Sequence, residues 1–330
     1  MASGRPTGQS ARHSTPSPDE RARVVFLGSG GFAVPILAAL LAQPTIDVVG
    51  VVSTPDRASG RGRSVRATPV AEFARAHALD LRQPERLRAP EAIEAVLALR
   101  PGLGVLADYG QIVPATLLAA IPGGMLNLHP SLLPRHRGAT PIPAAILAGD
   151  PSTGVSLIRM DAGIDSGPIV ATEQVALTGS EATPDLEVRL ATVAAGLLTR
   201  SIGPWLAGVL PARPQPDQGV SLTRPLRRAD GELDPARPAV ELERQVRAYQ
   251  GWPGSFVETP AGRLTVHAVT VLAGLAADVG TIVENGSGLA LATVAGALAI
   301  ERVQLAGGRP MSGAELRRGR PGLAGAVVGR

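Results

Sequence analysis

Between residues 23 and 203, short apolar runs rich in β-branched residues alternate with stretches of helical period. Strand-like runs fall at 23–27, 46–53, 103–107, 125–128 and 154–160. Helical stretches fall at 33–43, from 69 onward, at 140–148 and at 183–203. Strands separated by helices pair in parallel with helices on both faces. The expected first domain is therefore α/β, with a doubly wound, mostly parallel, Rossmann-like sheet. Thr68-Pro69 and Thr140-Pro141 each set a capping hydroxyl before a proline suited to the first helical turn. Residues 206–219 break the pattern with Pro211, Pro214, Pro216 and two glycines, and read as a linker. Beyond them one helix at 239–250 precedes closely spaced strand-like runs at 255–259, 263–272, 279–284, 288–294 and 297–304. That spacing predicts a second, smaller β domain, a small barrel or a sandwich. The expected organisation is 1–22 as a disordered extension, 23–205 as the first domain, 206–219 as the linker and 220–330 as the second domain.

Composition excludes several chemistries. There is no cysteine, which removes disulfides, thiolate metal sites and cysteine nucleophiles. All 32 basic residues are arginine, so a Schiff-base or P-loop lysine is absent too. The five histidines show no metal-ligand spacing, and no metal is expected. The longest apolar stretch, 24–42, is interrupted by Gly28, Gly30, Gly31 and Pro35 and does not read as a membrane span. A cytoplasmic protein with no membrane partner is expected. Residues 1–22 hold Ser, Pro, Thr and Arg with no acid before Asp19, which fits disorder or, in a second reading, a transit peptide.

Ligands of an open parallel sheet sit at the carboxyl ends of its strands. Asn127 and His129 fall at such an end, two residues apart, so in extended backbone they point the same way. An amide donor and an imidazole converging on one spot can hold a developing oxyanion, the charge that acyl transfer creates. Capping a strand end is the alternative role. Downstream, Met160-Asp161-Ala162-Gly163-Ile164-Asp165-Ser166-Gly167 bends the chain sharply. The bend could return one carboxylate to the imidazole, while the other forms the turn. The residues alone do not say which aspartate does which.

Three segments carry a resemblance: Asn127-Leu128-His129-Pro130-Ser131-Leu132-Leu133-Pro134, then Arg137-Gly138-Ala139-Thr140-Pro141, then Asp161-Ala162-Gly163-Ile164-Asp165-Ser166-Gly167. Together they resemble the 10-formyltetrahydrofolate-dependent formyltransferases, over about residues 23–320. The resemblance implies Asn127 and His129 as the oxyanion pair and Asp165 as the catalytic carboxylate. It implies Ser131, Leu132, Leu133 and Pro134 as the folate-lining segment, and 10-formyltetrahydrofolate as co-substrate. Within the family the tRNA-acting branch is the nearer. Residues 54–63 resemble its basic loop, which implies Arg57, Arg61 and Arg63 as phosphate contacts. Residues 244–254 resemble the Trp-Pro signature of its second domain, which implies that 220–330 form a β-barrel, OB-like domain that helps hold tRNA. The implied acceptor is the α-amine of methionine on initiator tRNA, and a monomer is expected. Departures from the family pattern are His136 for an aromatic, Asp108 in an Ala-Tyr-Gly element, Gly30-Gly31 for Pro-Asp, and Arg227 or Arg228 for lysine.

Other classes fit less well. Gly28-x-Gly30-x-x-Ala33 could be a dinucleotide fingerprint of an NAD-dependent oxidoreductase, but no acid ends the second strand to hold a ribose. A non-catalytic RNA-binding protein leaves the Asn-His-Asp constellation idle. A formyltransferase for an amino sugar nucleotide shares that constellation but has no use for the basic loop.

Overall fold

The computed structural model describes residues 21–59, 64–275 and 277–329. In chain order the first domain runs β1 (Ala22–Gly28), α1 (Ala33–Leu41), β2 (Ile46–Val52), β3 (Arg57–Ser59), β4 (Ser64–Arg66), α2 (Pro69–Ala76), β5 (Leu81–Arg82) and α3 (Pro90–Leu97). It continues with β6 (Leu103–Ala107), α4 (Ala115–Ala120), β7 (Met125–His129), β8 (Arg137–Gly138), α5 (Pro141–Ala148), β9 (Ser152–Arg159), β10 (Ile169–Ala176) and α6 (Thr183–Leu206). The sheet order is β10-β9-β7-β6-β1-β2-β5. Strands β7, β6, β1, β2 and β5 are mutually parallel, and β9 and β10 extend the sheet antiparallel. Successive residues of β1 face opposite sides. Val24 and Phe26 join a core with Ile36, Leu37 and Leu40 of α1 and Leu190 and Leu197 of α6. Val25 and Leu27 join one with Leu87 and Leu117. With both faces covered, all five residues of β6 are buried, which is why such strands read as unbroken apolar runs.

The sheet grows outward both ways from β1, so the crevice for a ligand opens at the carboxyl ends of β1, β6 and β7. Gly28 is fixed by the tightness of that corner: a Cβ there would lie 2.9 Å from the Ala107 carbonyl oxygen. Residues 54–66 hold the β3–β4 hairpin where a loop is expected. The edge strand β10 is also absent from the sequence reading. Its face is half solvated, so it lacks a continuous apolar run.

Residues 206–224 do not hang free. Arg213 and Ile169 exchange both backbone bonds, at 2.7 and 2.8 Å, and β11 (Leu222–Thr223) lies parallel to β8. This strap crosses the catalytic end of the first domain. The second domain holds α7 (Ala239–Ala248), β12 (Ser255–Thr259), β13 (Gly262–Leu272), β14 (Ile282–Asn285), β15 (Gly288–Ala292), β16 (Ala297–Leu305), β17 (Met311–Ser312) and α8 (Gly313–Gly319). Its antiparallel sheet is ordered β12-β13-β16-β15-β14, with β17 on β16. Val257 of β12 and Ile282 of β14, on opposite edges, face the same small interior space, so the sheet curls around one core. Helix α7 joins the domains. Leu242 and Val246 enter the second core, and Ala248 with Tyr249 beyond its end enters the first.

Candidate active site

Asn127 and His129 stand on one face of β7 and are 6% and 5% exposed. Asp165 comes from the loop after β9 and takes a left-handed φ of 48°. Its carboxylate accepts from Asn127 Nδ2 at 3.0 Å and from the Gly138 backbone N–H at 2.8 Å. Its Oδ2 lies 3.5 Å from His129 Nδ1. The other aspartate does local work: Asp161 accepts from Gly163 N at 3.0 Å and from the Ser166 hydroxyl at 2.9 Å, forming the turn. The fold thus separates two carboxylates that sequence spacing leaves equivalent. Gly167 lets the loop lie flat on β9, since a Cβ there would stand 1.9 Å from the Arg159 carbonyl oxygen.

The histidine's protonation follows from its partners. His129 Nε2 is 2.9 Å from the His136 carbonyl oxygen, which can only accept. Nε2 therefore carries the hydrogen, and in the neutral ring Nδ1 offers a lone pair towards Asp165 and the cavity. Burial pulls this imidazole below its ordinary pKa, and the Asp165 charge acts against that pull. A neutral His129 gives no N–H to an oxyanion, and it becomes a donor there only after taking a proton on Nδ1. Asn127, by contrast, spends one amide hydrogen on Asp165, and among the described residues the second has no hydrogen-bond partner.

These groups line a cavity of about 390 Å³. Tyr109, Pro130, Pro141 and Ile142 supply apolar walls, and Leu226 and Trp252 close it from the second domain's side. Trp252 is 54% exposed beneath the Arg228 guanidinium, 5.6 Å from the ring centroid. Sequence reasoning marked Trp252 as a domain signature but did not place it at the site, because that requires the two domains to be docked. Residues 131–134 lie behind the cavity rather than in its lining. The Ser131 hydroxyl donates to the Arg135 carbonyl at 2.7 Å, and Ser156 ties the Leu133 N–H to the Ser131 carbonyl.

Two departures from the family pattern, Gly30 and Asp108, pack against each other. The Asp108 carboxylate fills the space above Gly30, where a Cβ would lie 1.6 Å from its Oδ2. No side chain at position 30 coexists with that placement. Glu187 lines the same cavity, and its carboxyl is pushed up first by burial and then by the Asp108 charge. At the third departure, His136 Nε2 is hydrogen-bonded to Asp150 at 2.7 Å, which holds its ring where an aromatic would stack. Of the basic loop, Arg57 is exposed on β3, while Arg61 and Arg63 lie outside the described residues. Asp56 anchors the hairpin base through Gln83 at 2.6 Å and Arg75 at 2.9 Å. Among the described residues no helix is long and apolar enough to cross a membrane.

A parallel sheet with an amide, an imidazole and a carboxylate gathered at its switch point defines a group-transfer enzyme. The formyl transferase family model matches residues 22–202 and its C-terminal domain model matches 225–321, and the chain belongs to this family. Its relatives narrow the class. Methionyl-tRNA formyltransferase of Roseiflexus sp. (strain RS-1) is 43% identical over 90% of this chain and 92% of its own. That of Halorhodospira halophila (strain DSM 244 / SL1) is 42% identical over 91% and 96%. Among solved structures, the N-formyltransferase of Helicobacter canadensis, in complex with folinic acid and dTDP-3-aminofucose, superposes with a TM-score of 0.62 at 16% identity. It covers 84% of this chain and 98% of that one. HypX of Aquifex aeolicus in complex with tetrahydrofolic acid gives 0.59 at 13%, over 90% and 47%. At such identities these two show the fold alone.

Proposed function

We propose that this chain is a methionyl-tRNA formyltransferase, moving a formyl group from 10-formyltetrahydrofolate to the α-amine of methionine on initiator tRNA. The observation that carries the reading is the Asn127–Asp165–His129 cluster at the carboxyl end of β7, in which Asn127 donates to Asp165 at 3.0 Å and His129 Nδ1 lies 3.5 Å from the same carboxylate, open to one cavity. The cavity falls within the roughly 300–1,000 Å³ of small-molecule sites, and its apolar walls with one polar end fit a flat, partly apolar folate head. The co-substrate supplies the formyl group. Residues 131–134 support the folate side from behind, and Leu226 and Trp252 frame the acceptor side.

The residues divide the work by what each can donate or accept. The spare Asn127 N–H meets the oxyanion that forms when an amine adds to a formyl carbon; one such donor is typically worth about 10²–10³ in rate. His129 Nδ1 takes the proton that the amine loses. The resulting imidazolium lies beside the Asp165 carboxylate and now has an N–H to give, so it joins Asn127 as the second donor. The same proton then passes to the departing folate nitrogen, which returns His129 to its neutral form. The Asp165 carboxyl group stays beside the ring, held by Asn127 and the Gly138 N–H.

Support for the tRNA acceptor comes from the relatives' shared activity and from the exposed Arg57 beside the arginine-rich segment 57–63. The test offers Met-tRNA, glycinamide ribonucleotide and an amino sugar nucleotide side by side with 10-formyltetrahydrofolate. Formylation of Met-tRNA far above the others is expected, and preference for either small acceptor overturns the assignment.

A further inference from the structure

The loop that carries Asp165 is exposed from Asp161 to Ile164, and Asp165 itself adopts a conformation that L residues disfavour. Such a loop needs a tether if its carboxylate is to stay beside an imidazole. The tether comes from outside the family's catalytic motifs. Gln215, on the strap between the domains, donates both hydrogens of its Nε2. One goes to the Asp165 carbonyl at 2.7 Å and the other to the Gly167 carbonyl at 2.8 Å. Its Oε1 accepts from Arg137 Nε at 3.0 Å and Arg137 Nη2 at 2.8 Å. Two carbonyls on one side and a guanidinium on the other leave a single orientation for the amide. Arg137 precedes Gly138, whose N–H holds the Asp165 carboxylate at 2.8 Å. One side chain therefore grips Asp165 by its backbone and, through Arg137, by the segment that positions its carboxylate.

We propose that Gln215 is a positioning residue for formyl transfer: it locks the Asp161–Gly167 loop to the Arg137–Gly138 segment and thereby sets Asp165 beside His129. Gln215 does not line the cavity and acts through Asp165. The strap is thus a working part of the active site, which its proline-rich sequence, read as a spacer, does not announce.

The proposal rests on the catalytic reading of Asp165 and His129, and the experiment separates the two. Gln215→Met removes all four bonds at similar volume. Gln215→Glu keeps the acceptor for Arg137 but turns an oxygen onto the two carbonyls. Both variants are expected to lower kcat by about 10–100-fold, as a misplacement of about 1 Å does. KM for tRNA and for folate should stay within about twofold. Asp165 and the His136 ring are the ionisable groups that face His129. With Asp165 withdrawn, the His129 ring, followed by NMR, should titrate at lower pH than in the parent. A purely structural role would not move that titration. Unchanged kcat and titration in the folded variants overturns the proposal, as does failure of both variants to fold, which makes Gln215 a folding residue. Asp165→Ala runs alongside. If it keeps parental turnover, the reading of the site falls. If it is inactive while Gln215→Met is normal, only the role of Gln215 falls.

Discussion

At the scale of single residues, His129 is governed by opposing effects: burial favours the neutral ring, and Asp165 favours the charged one. Burial is the larger, so the ring should titrate below the ordinary histidine value of about 6.5. Asp165→Asn removes the opposing charge and should push the titration lower still, which NMR of the imidazole can follow. An upward shift would contradict the assignment of partners. The same direction fixes a stability trend. The unfolded chain takes up this proton more readily than the folded one, so the ring's contribution is intact above about pH 6.5 and is lost as pH falls through its folded pKa. Asp165→Ala should reduce turnover by orders of magnitude while the thermal unfolding midpoint stays near the parental one. Near-normal turnover would sink its catalytic role. Because neutral His129 presents only a lone pair, the implied oxyanion pair becomes one standing donor, Asn127, and one donor that forms during the reaction.

At the scale of elements, two Thr-Pro pairs with the same signal have different fates. Thr68 caps α2, accepting from Ala71 N at 3.1 Å, and also meets the buried Ser53 hydroxyl at 2.6 Å. Thr68→Ala should cost about 1 kcal/mol or slightly more, read from the denaturant midpoint. Thr140 precedes α5 but does not cap it. Its hydroxyl donates to the Arg224 carbonyl at 3.0 Å, and its N–H goes to Thr223 Oγ1 at 3.1 Å. A tertiary partner from the strap outcompeted the local one. Sequence signals are legible for the long apolar strands and the longer helices. They do not mark the short helices α3 and α4, the two-residue strands, β10 or the β3–β4 pair, elements whose tertiary packing or pairing supplies what their composition lacks.

At the scale of the whole molecule, the two domains share α7 and line one cavity, so the candidate site is completed by docking. Arg57 stands outside that cavity on the first domain. Replacing Arg57, Arg61 and Arg63 by alanine should weaken tRNA binding. The slope of log affinity against log salt should fall by about 0.7–0.9 for each phosphate that is no longer neutralised. An unchanged slope in a filter-binding series would return the segment to plain surface.

The sequence by itself determined the α/β first domain, the antiparallel second one, and the identity of Asn127 and His129 as a pair. Those depend on periods of two and 3.6 residues and on neighbours along one strand. Only the tertiary structure decided that Asp165 faces the imidazole while Asp161 makes the turn, since equal residues in one loop differ only by where the loop folds. It also decided that His129 spends its N–H on the His136 carbonyl, that Asp108 and Gly30 are coupled, and that Trp252 closes the cavity. The strap shows the reason most directly. Proline and glycine between domains predict slack chain, yet Gln215 and Ser221 have partners 48 to 87 residues away. Contacts of that separation leave no periodicity in a sequence, and they hold this active site together.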